Sequence, residues 1–361
     1  MTIRRILTLG GVLTFLFFTL VPYAVPSYGK AVGAQQEEEE AIPITHEIFQ
    51  HLKWRNIGPA NMMGRVADVE GVPGNPNILY VGSASGGVWK TENGGTTWTP
   101  IFDDQPVASI GDLALEPGNP DVLYVGTGES NVRNSVSFGN GVYKSTDGGT
   151  TWVHLGLEAT ERISRIVIDP KNPRTVYVGA LGRAYGPNRE RGVFRTRDGG
   201  VTWEKVLYTD DKHGVADMDI NPQNPNIVYA ALWRFERNPW TFVSGDTLGG
   251  LFRSVDGGDN WIKLTTGLPT LVGRIGIKVA PSRPDVVYAM TESKEGTLYR
   301  SDNGGESFLR VSADVEIVSR GFYYTDLRVD PTDENRVYAV SSRLQLSIDG
   351  GEKFKQISPS T

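Results

Sequence analysis

The chain has 361 residues, with 43 glycines, 21 prolines and no cysteine, a composition that suits many tight turns better than long helices. Its formal net charge of −6 argues against nucleic acid as a main partner, because phosphate binding needs a positive surface. The lack of cysteine excludes disulfides, thiolate metal sites and a cysteine nucleophile. The histidines (His46, His51, His154 and His213) show no ligand spacing, so we expect neither a metal nor a cofactor.

The start of the chain has the layout of an export signal. Arg4 and Arg5 precede an apolar run at residues 6–25, and small residues follow. We predict a signal peptide over residues 1–34; the alternative is an uncleaved anchor, which would be the only membrane contact. Residues 35–51 are rich in glutamate at their start and predict an acidic linker. We therefore expect a secreted or periplasmic protein of the cell envelope.

Residues 52–361 form a repeat region that opens with a lone strand at 52–58, which reads LKWRNIG. Six repeats with a period of about 50 residues follow it, at about 62–102, 108–156, 162–207, 214–264, 272–311 and 322–357. Each repeat has a loop, rich in Pro and Asn in most repeats, that leads into a β-branched strand with Tyr near its end, such as PGNPDVLYVG at 117–126. Helical periodicity is missing, which excludes a helical repeat.

One repeat divides into four strands. Residues 109–156 contain SIGDLALE, VLYVGT, GVYKS and TTWVHL, separated by turn residues. Four short strands joined by turns form one blade of a β-propeller, so the predicted fold is an all-β propeller with six blades visible. The lone strand at 52–58 has no host among six complete repeats, and proteins avoid exposed sheet edges. We therefore predict at least one further blade beyond Thr361; the alternative is a surface loop at 52–58.

A glycine-rich turn joins the third and fourth strands of every repeat. Its pattern is [ST]-x-[DN]-G-G-x-x-[WF], as in STDGGTTW at 145–152. Glycine adopts the positive φ that a tight hairpin needs, and an Asp or Asn side chain accepts hydrogen bonds from the turn's own amides. We predict a structural role for Asn93, Asp147, Asp198, Asp256, Asn303, Asp349, Trp98, Trp152, Trp203 and Trp261.

This turn pattern is the Asp-box of bacterial neuraminidase-type (BNR) repeats. Together with the x-N-P-x-x-x-Y-V signature, it resembles the propellers of sortilin and its bacterial relatives, and it is also similar to those of xyloglucan-degrading glycoside hydrolases. The resemblance covers about residues 54–357. It implies the fold more than an activity, because one propeller scaffold hosts many functions. Sortilin-like propellers have ten blades and the glycoside hydrolases two seven-bladed rings, and both fit a missing C-terminal part.

The loop between the second and third strands is long in three consecutive repeats, at 128–140, 180–191 and 231–250. In a propeller these loops share a face with the loops entering the first strands, opposite the Asp-box turns, and such insertions often carry function. Their aromatic, Arg and Asn side chains suit stacking on sugars or gripping peptides. The predicted ligand site contains Arg133, Asn134, Phe138, Arg183, Tyr185, Arg191, Trp233, Arg234 and Trp240. The alternative is that the two tryptophans pack the loops themselves.

A column of aspartates supplies weak catalytic candidates. Aligning the repeats puts Asp68, Asp112, Asp217 and Asp326 at one position near the start of the first strands, with Arg165 and Gly276 in the other two repeats. Clustered carboxylates raise one another's pKa and are suited to acid–base catalysis. The alternative is that each aspartate caps a backbone turn or pairs with an arginine such as Arg65 or Arg274.

Three functions are compatible with this pattern. The main hypothesis is a binding propeller for peptide, protein or glycan ligands, since sortilin-like propellers bind without turnover. The alternative is a glycoside hydrolase of the xyloglucanase-like two-propeller type, which needs two carboxylates across the scissile bond. The resemblance places one of them in a G-T-D-V-G-G motif, but residues 82–87 carry Ala84 at the Asp position, so we lean against enzyme activity. A sialidase ranks last, because no Tyr/Glu pair is assignable.

Overall fold

A computed structural model describes residues 65–357 except Asn134 and Tyr324. The predicted signal segment, acidic linker and lone strand at 52–58 lie outside these residues, as does the predicted ligand residue Asn134. Within the described ranges, no helix is both long enough and apolar enough to cross a membrane.

The described chain forms six antiparallel sheets, each built on four strands in sequence order, and the sheet of blade 4 has a fifth strand. The strands of blades 1 to 3 are β1 (Val66–Val72), β2 (Asn75–Ser83), β3 (Val88–Thr91), β4 (Thr99–Pro100), β5 (Ile110–Glu116), β6 (Asn119–Thr127), β7 (Val142–Ser145), β8 (Val153–His154), β9 (Ile163–Ile168), β10 (Val176–Ala180), β11 (Gly192–Thr196) and β12 (Glu204–Leu207). The strands of blades 4 to 6 are β13 (His213–Ile220), β14 (Val228–Arg237), β15 (Phe242–Ser244), β16 (Gly250–Ser254), β17 (Ile262–Leu264), β18 (Ile275–Val279), β19 (Val287–Thr291), β20 (Leu298–Ser301), β21 (Leu309–Ser312), β22 (Asp326–Asp330), β23 (Asp333–Val340), β24 (Leu344–Ser347) and β25 (Lys355–Gln356).

The six blades form a ring, which confirms the predicted all-β propeller. The described helical elements are two short 3-10 turns, Glu158–Thr160 and Val315–Val318. Blade 4 departs from the four-strand plan, because β14 extends beyond the blade and pairs with the extra strand β15. The first strand of each blade lies innermost and lines a central channel. The further blade predicted beyond Thr361 stays a prediction.

Apolar side chains hold consecutive blades together. Ile110 and Leu113 on the first strand of blade 2 are buried and pack on Gly82 of blade 1. A Cβ added at Gly82 would lie 2.7 Å from Cγ2 of Ile110, so the absent side chain lets the blades approach closely. Fully burying such an aliphatic side chain contributes roughly 1.5–3 kcal/mol. Similar apolar clusters occupy each interface from blades 1–2 to blades 5–6.

The six glycine-rich turns close in the same way. In blade 2, the Ser145 hydroxyl accepts the Gly149 amide at 2.8 Å, and Oδ1 of Asp147 accepts the Thr151 amide at 2.8 Å. The equivalent residues of the other five turns make the same two hydrogen bonds. The amide of Gly148 also donates to the Asp121 carbonyl near the start of β6. These contacts place the turns on the face opposite the long loops.

Tyrosine and tryptophan side chains connect several of the turns to a neighbouring blade. The Tyr177 hydroxyl of blade 3 donates to the Gly257 carbonyl in the turn of blade 4 at 2.9 Å. The Trp152 indole of blade 2 donates to the Ile101 carbonyl of blade 1 at 2.7 Å, and Trp203 makes the same bond to the Leu155 carbonyl at 2.8 Å. The Trp98 and Trp261 indoles donate within their own turns instead. Tyr177, Trp152 and Trp203 therefore link neighbouring blades along the turn face.

Candidate functional site at the loop face

The end of the channel on the loop face is a cavity of about 150 Å³. All six blades line it, and the loops that enter the first strands meet there with the loops that follow the second strands. Ser130 and Asn131 come from the long loop of blade 2, while Tyr323 and Thr325 come from the loop entering blade 6. This arrangement agrees with the expected common face for these two sets of loops.

Arg165 lies at the centre of the predicted aspartate column. Its Nη1 is 3.0 Å from Oδ1 of Asp112, and its Nε is 2.7 Å from Oδ1 of Asp217. Its Nη2 lies 3.6 Å from Asp326, across the channel on blade 6. The fourth aspartate, Asp68, pairs with Arg328 at 3.3 Å. The structure therefore brings the four candidates together around two arginines.

Three of these aspartates also tie their blade to another. Oδ2 of Asp68 accepts the Leu113 amide at 3.2 Å, Oδ2 of Asp112 accepts the Ile166 amide at 2.6 Å, and Oδ2 of Asp217 accepts the Ile277 amide at 2.9 Å. In each case the donor is on the first strand of the next blade. This geometry favours the structural alternative for the column.

Arg65 and Arg274, the arginines named as expected partners, hydrogen bond to groups outside the aspartate column, although the charges of Asp326 and Asp217 also act on Arg274. Arg65 forms a two-pronged ion pair with Glu129, with both N–O distances at 2.7 Å. Nη1 of Arg274 donates to Oδ1 of Asn131 at 3.0 Å and to the Tyr323 carbonyl at 3.1 Å. Both arginines begin at the entry to a first strand, but their side chains turn toward the loops, whereas Arg165 and Arg328 extend along the channel.

Two buried carboxyls of the channel, Asp112 and Asp217, have pKa values that shift in opposite directions. Burial raises the pKa of Asp112 well above its usual range, although Arg165 opposes the shift. Burial acts in the same direction on Asp217, but Arg165 and Lys278 outweigh it and lower the pKa of Asp217 to about 2. Both oxygens of each carboxyl already have a partner on the protein. These groups are therefore placed to hold the blades rather than to exchange protons with a ligand.

Three aromatic rings of the predicted ligand site are exposed on consecutive blades. Phe138 of blade 2 is 66% exposed, Tyr185 of blade 3 is 50% exposed and Trp240 of blade 4 is 84% exposed. Trp240 lies between β14 and β15, at the tip of the hairpin that rises from blade 4. Exposed rings of this kind offer flat apolar surfaces for stacking.

The predicted arginines of the loops differ in exposure. The Arg183 side chain is about half exposed and its Nε is 2.8 Å from Glu161. Arg234 is partly buried, with Nη1 3.6 Å from Asp246, and Arg133 is also partly buried. These three side chains are therefore at least partly accessible to solvent.

Two predicted ligand residues are part of the interior of the loops. Trp233 is 1% exposed; its ring stacks on Phe235 and its indole donates to the Ser244 hydroxyl at 3.0 Å. Arg191 is also 1% exposed and donates to the carbonyls of Lys212 and Arg183. We correct the predicted ligand set accordingly, because these side chains are used in packing and loop closure.

Ala84, at the position where the resemblance expects an aspartate, is 2% exposed. Its amide donates to the Arg65 carbonyl at 3.0 Å, and its carbonyl accepts the Ser109 hydroxyl at 2.9 Å. A buried methyl group transfers no proton, so the structure offers no general acid or base at this position.

The sequence reasoning missed two buried charged groups beside the loops. Glu129, the partner of Arg65, is fully buried and its amide donates to the Ser109 hydroxyl. The sequence feature that could have identified Glu129 is a carboxylate shortly after the second strand of its repeat, at the start of a long loop. His213 lies between Asp210 at 2.7 Å and Asp246 at 2.9 Å. Asp210 is close in sequence, but the tertiary structure alone brings Asp246 to the ring.

Comparisons with known proteins give distant relatives. No protein-family model matches the chain. A xyloglucanase from Paenibacillus sp. is 28% identical over 206 residues, which is 55% of this chain and 17% of that protein. The chain thus spans a small part of the curated relative's length.

Solved structures share the fold. The GH74 enzyme of Niastella koreensis is 22% identical, with a TM-score of 0.61, over 79% of this chain and 45% of that one. An ancestral GH74 enzyme is 21% identical, with a TM-score of 0.59, over 78% and 36% of the two chains. YCF48 from Cyanidioschyzon merolae is 15% identical, with a TM-score of 0.51, over 82% and 86%. The comparisons thus point to propellers of the GH74 xyloglucanase kind, and the sortilin resemblance stays a prediction.

Proposed function

We propose that the chain binds a β-glucan polysaccharide of the xyloglucan class on its loop face, outside the cytoplasm. The observation that carries the proposal is the presentation of three exposed rings, Phe138, Tyr185 and Trp240, on consecutive blades. The xyloglucanase relative favours a glycan over the peptide and protein ligands that the loop composition also suits.

The rings match the chemistry of a glucan chain. A pyranose ring exposes an apolar C–H face, which stacks on aromatic side chains, and hydroxyl edges, which hydrogen bond to arginine and asparagine. Arg183 and Arg234 lie in the loops that carry Tyr185 and Trp240. A polymer that contacts several rings gains affinity from each, and the channel mouth at the foot of the loops offers further polar groups.

Hydrolysis of such a polysaccharide is the second candidate, and the name of the Paenibacillus relative favours it. The mechanism requires two carboxylates, one on each side of the scissile bond. Here Ala84 occupies the position of one of them, and the channel aspartates are paired with arginines and amides. We therefore propose binding as the activity of this chain, since the candidate carboxyls among the described residues are engaged in contacts with the protein itself.

Affinity electrophoresis in gels containing tamarind xyloglucan tests the proposal. The unaltered chain should be retarded, and Trp240→Ala, Phe138→Ala and Tyr185→Ala should each weaken binding by about two- to tenfold, since one aromatic contact contributes roughly 0.5–1.5 kcal/mol. Trp98→Ala is the matched control, because Trp98 is a partly exposed tryptophan on the opposite face.

Three results would contradict the proposal or replace it. Equal retardation of all four variants would place the glycan elsewhere on the molecule. Absence of retardation in xyloglucan, with capture of a peptide library by the loop face, would return the peptide hypothesis to first place. Release of reducing sugar that persists in Asp68→Asn and Asp112→Asn would establish a hydrolase with carboxylates other than our candidates.

A further inference from the structure

Arg274 is a buried arginine at the loop-face end of the channel. It is 7% exposed and lines the cavity there. Its Nη1 donates to Oδ1 of Asn131 and to the Tyr323 carbonyl, and its guanidinium lies over the Trp233 ring. The described residues supply no hydrogen-bond acceptor for its Nε and Nη2. The edge of the guanidinium that carries these two donors is therefore unused by the protein.

Arg274 also lacks a carboxylate in contact with it. Within the described ranges, no acidic oxygen lies at ion-pair distance from its guanidinium, and the carboxylates that influence its charge act from farther away. The buried Arg195, by contrast, contacts Glu204 and Asp259, each at 2.7 Å. Arg191 is buried without a carboxylate too, but both of its Nη atoms donate to carbonyls. A buried cation without a partner costs free energy, which a carboxylate from outside would offset.

Three further polar groups of the same cavity have no partner on the protein. The Ser130 hydroxyl and Nδ2 of Asn131 make no hydrogen bond in the part of the chain that the structure describes, although Ser130 is only 5% exposed. Oδ2 of Asp326 likewise has no donor among those residues, since Arg328 and Arg165 contact its Oδ1. The cavity therefore presents a cation, two neutral polar groups and an acceptor to a ligand.

The other carboxyls of the cavity do not take the place of a partner for Arg274. Asp112 and Asp217 are in contact with Arg165, at 3.0 and 2.7 Å. Asp326 lies 3.6 Å from the same arginine. These acids share a cation of their own, so the charge of Arg274 stays available to an anionic group.

We propose that this cavity binds a sugar acid, a uronate of about one pyranose ring, whose carboxylate pairs with Arg274. A cavity of about 150 Å³ has the size that accommodates one six-membered ring. The three exposed rings of the loop face do not line it. The uronate site is thus separate from the proposed glucan surface and does not depend on it.

The chemistry of the cavity matches both parts of such a ligand. The two oxygens of a carboxylate fit the donors on the Nε–Nη2 edge of Arg274, which is the bidentate geometry of strong arginine–carboxylate pairs. Ring hydroxyls both donate and accept, so they suit Oδ2 of Asp326, the Ser130 hydroxyl and Nδ2 of Asn131. A neutral sugar would leave Arg274 without its anion, and a simple carboxylate would leave Asp326 without a donor.

Isothermal titration of the 361-residue chain with sodium D-glucuronate tests the proposal. D-Glucose and the methyl ester of D-glucuronic acid keep the ring and lose the charge, so they should bind at least about tenfold more weakly than glucuronate. N-Acetylglycine carries a carboxylate on a peptide unit and no hydroxyl. It should also bind more weakly, because it offers no hydroxyl donor to Asp326.

Substitutions assign the binding to the cavity. Arg274→Gln should weaken glucuronate binding by at least about tenfold, and Ser130→Ala by about two- to threefold. Arg195→Gln is the matched control, since Arg195 is a buried arginine near the turn of blade 4. It should lower the Tm and leave the affinity for glucuronate unchanged. Ser130→Ala keeps the test decisive if Arg274→Gln fails to fold, because it removes a single hydroxyl.

Absence of glucuronate binding would overturn the proposal, as would equal affinity for glucuronate and D-glucose. Unchanged affinity in both Arg274→Gln and Ser130→Ala would place the uronate elsewhere on the molecule. Tighter binding of N-acetylglycine than of glucuronate would replace the sugar acid by the carboxylate of a peptide. The xyloglucan gels use another ligand and other variants, so failure of the glucan proposal and failure of the uronate site are distinguishable.

Discussion

The two faces of the propeller differ in how they use the repeat. On the turn face, six turns make the same hydrogen bonds, and their carboxylates, hydroxyls and indoles bond within the turn or to a neighbouring blade. On the loop face, three blades carry insertions of unlike sequence, on which Phe138, Tyr185 and Trp240 are exposed. The most regular sequence pattern, the glycine-rich turn, therefore marks contacts that stabilise the blades. The irregular segments mark the candidate binding surface.

The channel joins these two regions. Its aspartate column is regular in sequence, yet the residue that organises it is the exception, Arg165. Residues that depart from the repeat pattern are thus informative both in the long loops and in the channel. At these positions the side chain makes contacts that the other blades do not share.

The largest expected effect on stability comes from substituting Arg165, which lies among the channel aspartates. Arg165→Leu removes the cation that contacts Asp112 and leaves Asp217 with the more distant Lys278, and we expect the free energy of unfolding to fall by about 3–5 kcal/mol. Urea denaturation followed by tryptophan fluorescence measures it, with Arg165→Lys as the control that keeps the charge. If Arg165→Leu loses less stability than Arg165→Lys, the hydrogen bonds from backbone amides alone hold the aspartate column in place.

The two tryptophans of the blade 4 loop divide the loop face into an interior and a surface. Trp233→Ala should lower the free energy of unfolding by about 3–5 kcal/mol, as for other large buried side chains. Trp240→Ala should change it by less than about 0.5 kcal/mol, because its ring is exposed. Thermal melts of both variants provide the measurement, and similar losses in the two would show that Trp240 also packs the loop.

The indoles of the turn face provide a smaller test. Trp152→Phe removes the hydrogen bond to blade 1 and keeps most of the ring, so we expect a loss of about 1 kcal/mol. In Trp98→Phe the lost bond lies within one exposed turn, and the loss should be smaller. If Trp98→Phe costs as much in urea denaturation, the bonds between blades are no more important than those inside a turn.

The smallest effect concerns pH. Hydrogen bonds from Thr151 and Ser145 lower the pKa of Asp147 to about 2, below its usual 3.8. A carboxyl with a depressed folded pKa stabilises the fold above its unfolded pKa, and this contribution is lost as the pH falls toward 2. Asp147→Asn, which copies Asn93 and Asn303, should therefore show a smaller drop in Tm between about pH 4 and pH 2. An identical dependence of Tm on pH in the two proteins would contradict the lowered pKa of Asp147.

Much of the fold was predictable from the sequence. Four strands per blade, six blades and the position of the turns follow from a local pattern that recurs, and each blade repeats the same interactions. The insertions were visible for a similar reason, because an insertion in a repeat stands out against its neighbours, but the loop predicted at 231–250 contains the end of β14 and the strand β15. The sequence did not predict which side chains of these segments are buried. Trp233 and Trp240 are close in sequence and equally apolar, yet Trp233 is buried and Trp240 is exposed.

The sequence by itself determined the repeat, the strand order within a blade and the turn chemistry, since these depend on residues close together in the chain. Only the tertiary structure decided that Arg165 serves aspartates of blades 2, 4 and 6, that Arg65 pairs with Glu129, and that His213 lies between Asp210 and Asp246. Those contacts depend on the distance across a closed channel and between long loops, which spacing along the chain does not encode.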